Sequence, residues 1–188
     1  MNIRSLVPDL LKASVCIGLT VFATTTQAGG VTASADIASC DPAVDVTGKA
    51  FLRERRSDEG VKLVNVFMRV QGLSPGKHAV HIHQSADCTP CGDAKGHFDP
   101  GPNSNTSPDG NHPFHSGDLV NIKVNNRGRG TLHTTTSRIT LSPGPLSLFD
   151  DDGSAFIIHV GEDSYCPDGD VAGCAGGARA ACGIIVPN

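Results

Sequence analysis

Six of the eight histidines in this chain of 188 residues fall in one stretch, residues 77–119. It opens with His78-Ala79-Val80-His81-Ile82-His83 and passes through a turn-rich loop holding Cys88, Cys91 and Gly96-His97-Phe98. It closes on His112-Pro113-Phe114-His115-Ser116-Gly117-Asp118-Leu119. Imidazole is a common metal ligand and is otherwise used sparingly, so this density points to metal binding. A fold that uses these side chains must gather them on a stiff scaffold.

The scaffold reads as β-structure. Gly (22) and Pro (12) are abundant and Trp is absent, which favours short strands joined by turns. Val44, Val46 and Phe51 begin a strand-like pattern, and residues 53–60 read as a charged hairpin tip. The next strand alternates Val64, Val66, Met68 and Val70 against Asn65, Phe67 and Arg69. After the turn at Leu73-Ser74-Pro75-Gly76, strand alternation puts His81 and His83 on one face and Val80 and Ile82 on the other, where the core belongs. Further strands are expected over 119–124 and 130–136, joined by the hairpin turn Asn125-Asn126-Arg127-Gly128, and over 138–141, 154–160 and 180–186. In residues 154–160, Phe156, Ile158 and Val160 share one face and His159 takes the other. Two irregular loops, 84–116 and 161–178, interrupt the strands. The first is far longer than an ordinary connection and should be functional or pinned. Asp150-Asp151-Asp152-Gly153 lacks the spaced ligands of a calcium loop and reads as a turn. Asn105-Thr106-Ser107 fits a glycosylation sequon.

Residues 1–28 read as a signal peptide, with Arg4 and Lys12 before an apolar run at 13–23 and Thr26-Gln27-Ala28 as the cleavage site. The apolar run is shorter than the roughly 20 residues a membrane span needs. The mature chain is then 29–188, a single domain exported to a periplasm or the extracellular space. Removing Arg4, Lys12 and Asp9 from 15 basic and 19 acidic residues leaves 13 and 18, a net −5. That balance argues against nucleic acid or an anionic membrane as a partner. Six cysteines remain (Cys40, Cys88, Cys91, Cys166, Cys174 and Cys182), an even number that suggests disulfides without fixing their pairing. A thiolate zinc site built on Cys88 and Cys91 is less favoured, because no second close pair completes it.

His81, His83 and His159 on strands, with His97, His112, His115 and Asp118 on the loop, make seven candidate ligands. A flattened set of imidazoles suits Cu(II), and three imidazoles with one carboxylate suit structural zinc. Two sites follow if one histidine serves both.

These motifs resemble, in order, those of the copper/zinc superoxide dismutases. They are His81-Ile82-His83, Gly96-His97-Phe98-Asp99-Pro100, His115-Ser116-Gly117-Asp118-Leu119, Asp152-Gly153-Ser154-Ala155 leading to His159, and Gly176-Gly177-Ala178-Arg179 followed by Cys182-Gly183. The resemblance implies an all-β Greek-key sandwich or barrel of about eight antiparallel strands with two long functional loops. It implies copper at His81, His83, His97 and His159, and zinc at His97, His112, His115 and Asp118, with His97 shared. The zinc histidine of the family lies further upstream of the His-x-Gly-Asp motif than His112 does, so the loop must be routed differently here. Arg179 matches the arginine that guides the superoxide anion to copper. Asp163 matches the carboxylate linking copper and zinc histidines, and His78 a buried histidine that braces the copper loop. Cys182 matches a disulfide partner whose mate is Cys88 by the bacterial spacing or Cys91 by the eukaryotic one, while Cys166 with Cys174 would close the second loop. His133 matches nothing and reads as a surface residue. The implied activity is disproportionation of superoxide to dioxygen and hydrogen peroxide, with His97 releasing copper and carrying a proton. The alternative is an exported, non-enzymatic copper or zinc binder on the same fold. Oligomeric state stays open, a homodimer being one form.

Overall fold

The computed structural model describes residues 30–101 and 107–188. The signal peptide read at 1–28 and Asn105 of the sequon lie outside the described residues. Ten strands form: β1 (Thr32–Ser39), β2 (Thr47–Arg56), β3 (Lys62–Gln71), β4 (Gly76–His78), β5 (Val80–His83), β6 (Ile122–Val124), β7 (Arg129–Thr136), β8 (Ala155–His159), β9 (Arg179–Ile184) and β10 (Val186–Pro187). They pair antiparallel in the order β4-β6-β7-β3-β2-β1-β9-β8-β5, with β10 added to β1. Only Ala79 separates β4 from β5, yet they stand at opposite ends of that order. The sheet therefore curls until its ends meet in a nearly closed Greek-key barrel, with crossovers from β5 to β6 and from β7 to β8. The expected all-β architecture forms, with more strands than the eight expected.

Alternation builds the core. Val64, Val66 and Met68 of β3 are fully buried and pack with Leu52, Val80, Ile82, Ile122, Phe156 and Ile158 from the surrounding strands. Each buried aliphatic of this kind contributes about 1.5–3 kcal/mol. The strand β1 went unexpected because its inward residues are Ala33, Ala35 and Ile37, so its alternation carries little hydrophobic contrast. Residues 138–141 do not form the expected strand. Ile139 and Leu141 are buried and plug the barrel, and only Thr140 bridges, to Ser147. Val160 is exposed, not inward, because β8 ends at His159, where its register with β9 shifts.

Glu54 also departs from its expected place. Instead of sitting in a hairpin tip it lies within β2, buried, and accepts hydrogen bonds from the backbone N–H of Leu141 (2.6 Å) and Ser142 (2.9 Å) and from the Ser142 hydroxyl (2.6 Å). Burial alone would raise its pKa, but these hydrogen bonds, with help from Lys62, outweigh it and lower it. A lowered folded-state pKa stabilises above the carboxyl's ordinary value, and that stability is lost as pH falls through the lowered one. Glu54→Gln should therefore cost about 1–3 kcal/mol at pH 7. Urea denaturation of both proteins should show the gap shrinking in acid.

Candidate metal centre

The strand β5 positions the centre. Its outer edge is occupied by two pieces of the long loop, which pair with it through isolated bridges of His83 with His97 and of His81 with Asp118. Backbone bonds from Phe98 N to Ile82 O (2.9 Å), Ile82 N to Gly117 O (2.9 Å) and Gly117 N to Phe98 O (2.8 Å) stitch them down. Gly117 is required there, since a Cβ at that position would lie 2.2 Å from Ile82 O. On the inner edge, β5 pairs with β8, which places His159 beside His81.

The result is two groups of buried donors with ligand atoms within 4.8 Å of one another: His81, His83, His97 and His159; and His81, His97, His112 and Asp118. The nitrogens are oriented by acceptors behind them. Nδ1–H of His83 donates to Lys95 O, and Nδ1–H of His159 donates to Gly177 O, both at 2.8 Å. Nε2–H of His81 donates to the Asp163 carboxylate at 3.1 Å. A carbonyl or carboxylate accepts only, so in each ring the opposite nitrogen is left with a lone pair. Those of His81 Nδ1 and His159 Nε2 face each other across 3.2 Å. The Nε2 atoms of His83 and His97 are buried without a hydrogen-bond partner among the described residues. Burial, followed by the neighbouring imidazoles, holds the pKa of His159 at about 3 and drives that of His83 well down. Burial also lowers His97 to about 4 although Asp118 opposes it. These rings are neutral at neutral pH and present lone pairs, which is the form that binds metal.

His81 and His97 belong to both groups. Nδ1 of His97 lies 2.7 Å from Asp118 Oδ1, while its unpartnered Nε2 belongs to the first group. His81 has its Nε2 engaged by Asp163. His115 lies outside the second group as measured, but its Nδ1 is 3.1 Å from Asp118 Oδ2. His112 reaches the same carboxylate from Nδ1 at 3.1 Å without hydrogen-bonding geometry, and its Nε2 lies 2.8 Å from Asp163 Oδ2. Burial disfavours charge on His112, yet Asp118 and Asp163 outweigh it and raise its pKa to about 9. Asp163 thus contacts one histidine of each group. Its pKa stays below the usual carboxylate range, because hydrogen bonds from His112 and His81 overcome burial. Asp118 is depressed in the same way, the imidazoles of His112, His115 and His97 around its carboxylate outweighing its burial.

Both guanidinium ends of Arg179, half-buried on β9 opposite His159, donate to loop carbonyls, one to Cys91 O and one to Lys95 O. Lys95 O is also the acceptor for His83, so the arginine and a candidate ligand share one anchor. His78 is buried, with ring nitrogens 2.8 Å from His159 O and Ser74 O. His133 is exposed on β7, edge-on to Phe67.

The six cysteines among the described residues form three disulfides: Cys88–Cys182, Cys166–Cys174 and Cys40–Cys91. The first takes the bacterial spacing over the alternative at Cys91, which instead joins Cys40 near the end of β1. Other supports carried no sequence signal. The guanidinium of Arg138 donates to Pro113 O (3.0 Å) and to Asp118 O, gripping the loop on both sides of His115. Asn121 brackets Asp163, accepting from its N–H (2.8 Å) and donating to its carbonyl (2.9 Å). Asp109 accepts from Gly173 N (2.9 Å) and Ala175 N (3.1 Å), tying the first loop to the second.

The copper/zinc superoxide dismutase (SODC) family model matches residues 46–185, a span holding every candidate ligand. The chain belongs to that family. It is 37% identical over 147 residues to the enzyme "Superoxide dismutase [Cu-Zn] 2" of Aquifex aeolicus, covering 75% of this chain and 80% of that one. It is 36% identical over 134 residues to "Superoxide dismutase [Cu-Zn]" of Deinococcus radiodurans, covering 64% and 69%. Among solved structures, a double mutant of a SOD-like protein from Bacillus subtilis superposes with a TM-score of 0.62 at 28% identity, covering 80% of this chain and 95% of that one. The clock protein EA4 gives 0.65 at 26%, covering 84% and 94%.

Cys40–Cys91 ties the first loop to the end of β1 across 51 residues of chain. Replacing both cysteines with serine should destabilise the protein by about 2–4 kcal/mol, measured by guanidinium denaturation against the parent under non-reducing conditions.

Proposed function

We propose that this protein disproportionates superoxide at a copper site bridged through His97 to a structural zinc. The observation that carries this reading is the facing pair of lone pairs on His81 and His159, with the unpartnered Nε2 atoms of His83 and His97 beside them. Lone pairs so buried repel one another and lose their hydration, at about 1–3 kcal/mol for each unsatisfied group, unless a cation lies between them. The donor set fits: His81 Nδ1 and the Nε2 atoms of His83, His97 and His159 would hold copper, a metal that imidazole suits. Nδ1 of His97, His112 and His115 with the Asp118 carboxylate would hold zinc. Bound there, copper supplies the one-electron redox chemistry that turns two superoxide anions and two protons into dioxygen and hydrogen peroxide, and zinc supplies a fixed charge.

The chain's own residues do the rest. His97 Nε2 has one lone pair and would hold a proton for the product in place of copper, not together with it. Asp163 orients His81 and His112 together, so the two metals share one support. Arg179 places a fixed cation beside His83 and His159 in a chain of negative net charge, and its free N–H donors dock a small anion. The three disulfides suit an exported chain, since such bonds persist in oxidising compartments. Among the described residues no helix is long and apolar enough to cross a membrane.

Metal analysis of the purified protein together with direct measurement of superoxide decay tests the reading. One copper, one zinc and fast decay are expected; bound metal without turnover would leave a metal-binding protein instead. Replacing Arg179 with glutamine should slow decay about tenfold and flatten its salt dependence while copper content holds. His112→Ala should strip zinc and spare copper, read by metal analysis after dialysis against a mild chelator. Retention of both metals would remove His112 from the site.

A further inference from the structure

The outer face of the barrel carries a row of cations that the metal centre does not use. Cross-strand register sets Lys77 opposite Lys123, Lys123 opposite Thr131, Thr131 opposite Arg69, Arg69 opposite Lys49, and Lys49 opposite Asp36. All six residues are exposed. Neighbouring strands lie about 4.8 Å apart, so the row runs about 24 Å around the barrel. Two of its steps, Lys77 with Lys123 and Arg69 with Lys49, put like charges directly opposite, an arrangement that destabilises a sheet. Among the described residues acid pairs with the row only at its ends, where Lys77 pairs with Glu162 at 3.3 Å and Lys49 pairs with Asp36. Arg69 and Lys123 have no ion-pair partner among the described residues. A chain with more acid than base has kept its acids away from the middle of this row.

The register also sets Arg129 opposite Gln71 and Gln71 opposite Thr47 in a second row. Between the rows lies a concavity of about 510 Å³ lined by Lys49, Arg69, Arg129, Gln71, Thr47 and Thr131. Cations there lie beside amide and hydroxyl groups. On the other side of the main row, Phe51, Phe67 and His133 are aligned, but the Arg69 guanidinium sits over the Phe67 ring at 5.0 Å, and His133 meets that ring edge-on at 74°. The Phe67 ring is thus occupied, which leaves Phe51 as the exposed ring of this row, less than the succession of stacking rings that single-stranded nucleic acid uses. A concavity on a curved barrel also offers little to a flat bilayer.

We propose that this row is a docking track for an acidic polysaccharide, a linear polymer bearing both carboxylates and hydroxyls. Carboxylates pair with Arg69, Arg129 and Lys123, and with Lys49 in exchange for its exposed contact to Asp36, and sugar hydroxyls bond to Gln71, Thr47 and Thr131. Exposed ion pairs of this kind are individually weak and screened by salt, so binding is multivalent and salt-sensitive.

The test uses the full metal-loaded protein and fluorescently labelled polygalacturonate, followed by anisotropy at about 20 mM and about 150 mM salt. Binding is expected at the lower salt and weaker at the higher. The variant K49Q/R69Q/R129Q should lose about tenfold in affinity, whereas R55Q/R56Q, with exposed charges removed at the end of β2, should lose much less. Superoxide decay should be unchanged in both variants, which also reports that they fold. The proposal is overturned if the parent protein does not bind or if the two variants lose affinity equally. It is also overturned if a single-stranded oligonucleotide or phosphatidylglycerol vesicles bind more tightly than the polyuronate, which would assign the row to that class.

Discussion

Two imidazole lone pairs facing each other 3.2 Å apart in a buried site are costly, and much of the structure is arranged to keep them there. An imidazole left to itself would rotate until its nitrogens found donors or water. Here each ring is fixed from behind: His83 by Lys95 O, His159 by Gly177 O and His81 by Asp163. These acceptors bind the N–H of each ring and leave its other nitrogen aimed inward. Orientation is therefore built in before any metal arrives, and the ordering cost on binding is correspondingly smaller.

Holding the acceptors still is a problem of loop anchoring. Lys95 lies in the long first loop and Gly177 at the end of the second, and neither is part of a strand. The sheet reaches them indirectly. Cys88–Cys182 joins the first loop to β9, Cys40–Cys91 joins it to the region after β1, and Arg179 on β9 grips carbonyls at the start and just past the end of the short turn at Cys91–Ala94. Asp109 and Asn121 connect the second loop back to the first, and Cys166–Cys174 closes it on itself. Each tie removes freedom from the unfolded chain as well as restraining the folded one.

Charge is distributed in a matching way. Strongly shifted groups lie inside, where Asp118 and Asp163 offset the cost of burying imidazoles. The exposed acids lie largely in turns and loops, whereas Lys49, Arg69, Lys123 and Lys77 line one course across the strands. Net charge conceals this separation, because it sums over surfaces that a partner meets one at a time.

The sequence by itself determined the antiparallel β class and the inward face of β3, because strong alternation such as Val64, Val66 and Met68 survives any tertiary context. It also determined the density of histidine between His78 and His115, and the motif order that carries the family. It left β1 unread, since alanine contrasts too weakly with its polar neighbours, and it misplaced Glu54 and Val160. A buried carboxylate looks like a surface one until its partners at Leu141 and Ser142 arrive, and a strand's end depends on its neighbour's register. Only the tertiary structure decided which cysteine meets Cys182, how His112 reaches Asp118 from three residues before His115, and that Arg138, Asn121 and Asp109 hold the loops. Those are contacts between segments distant in the chain, or loop geometries without periodicity. Spacing along a sequence records neither distance in space nor the direction in which a side chain finally points.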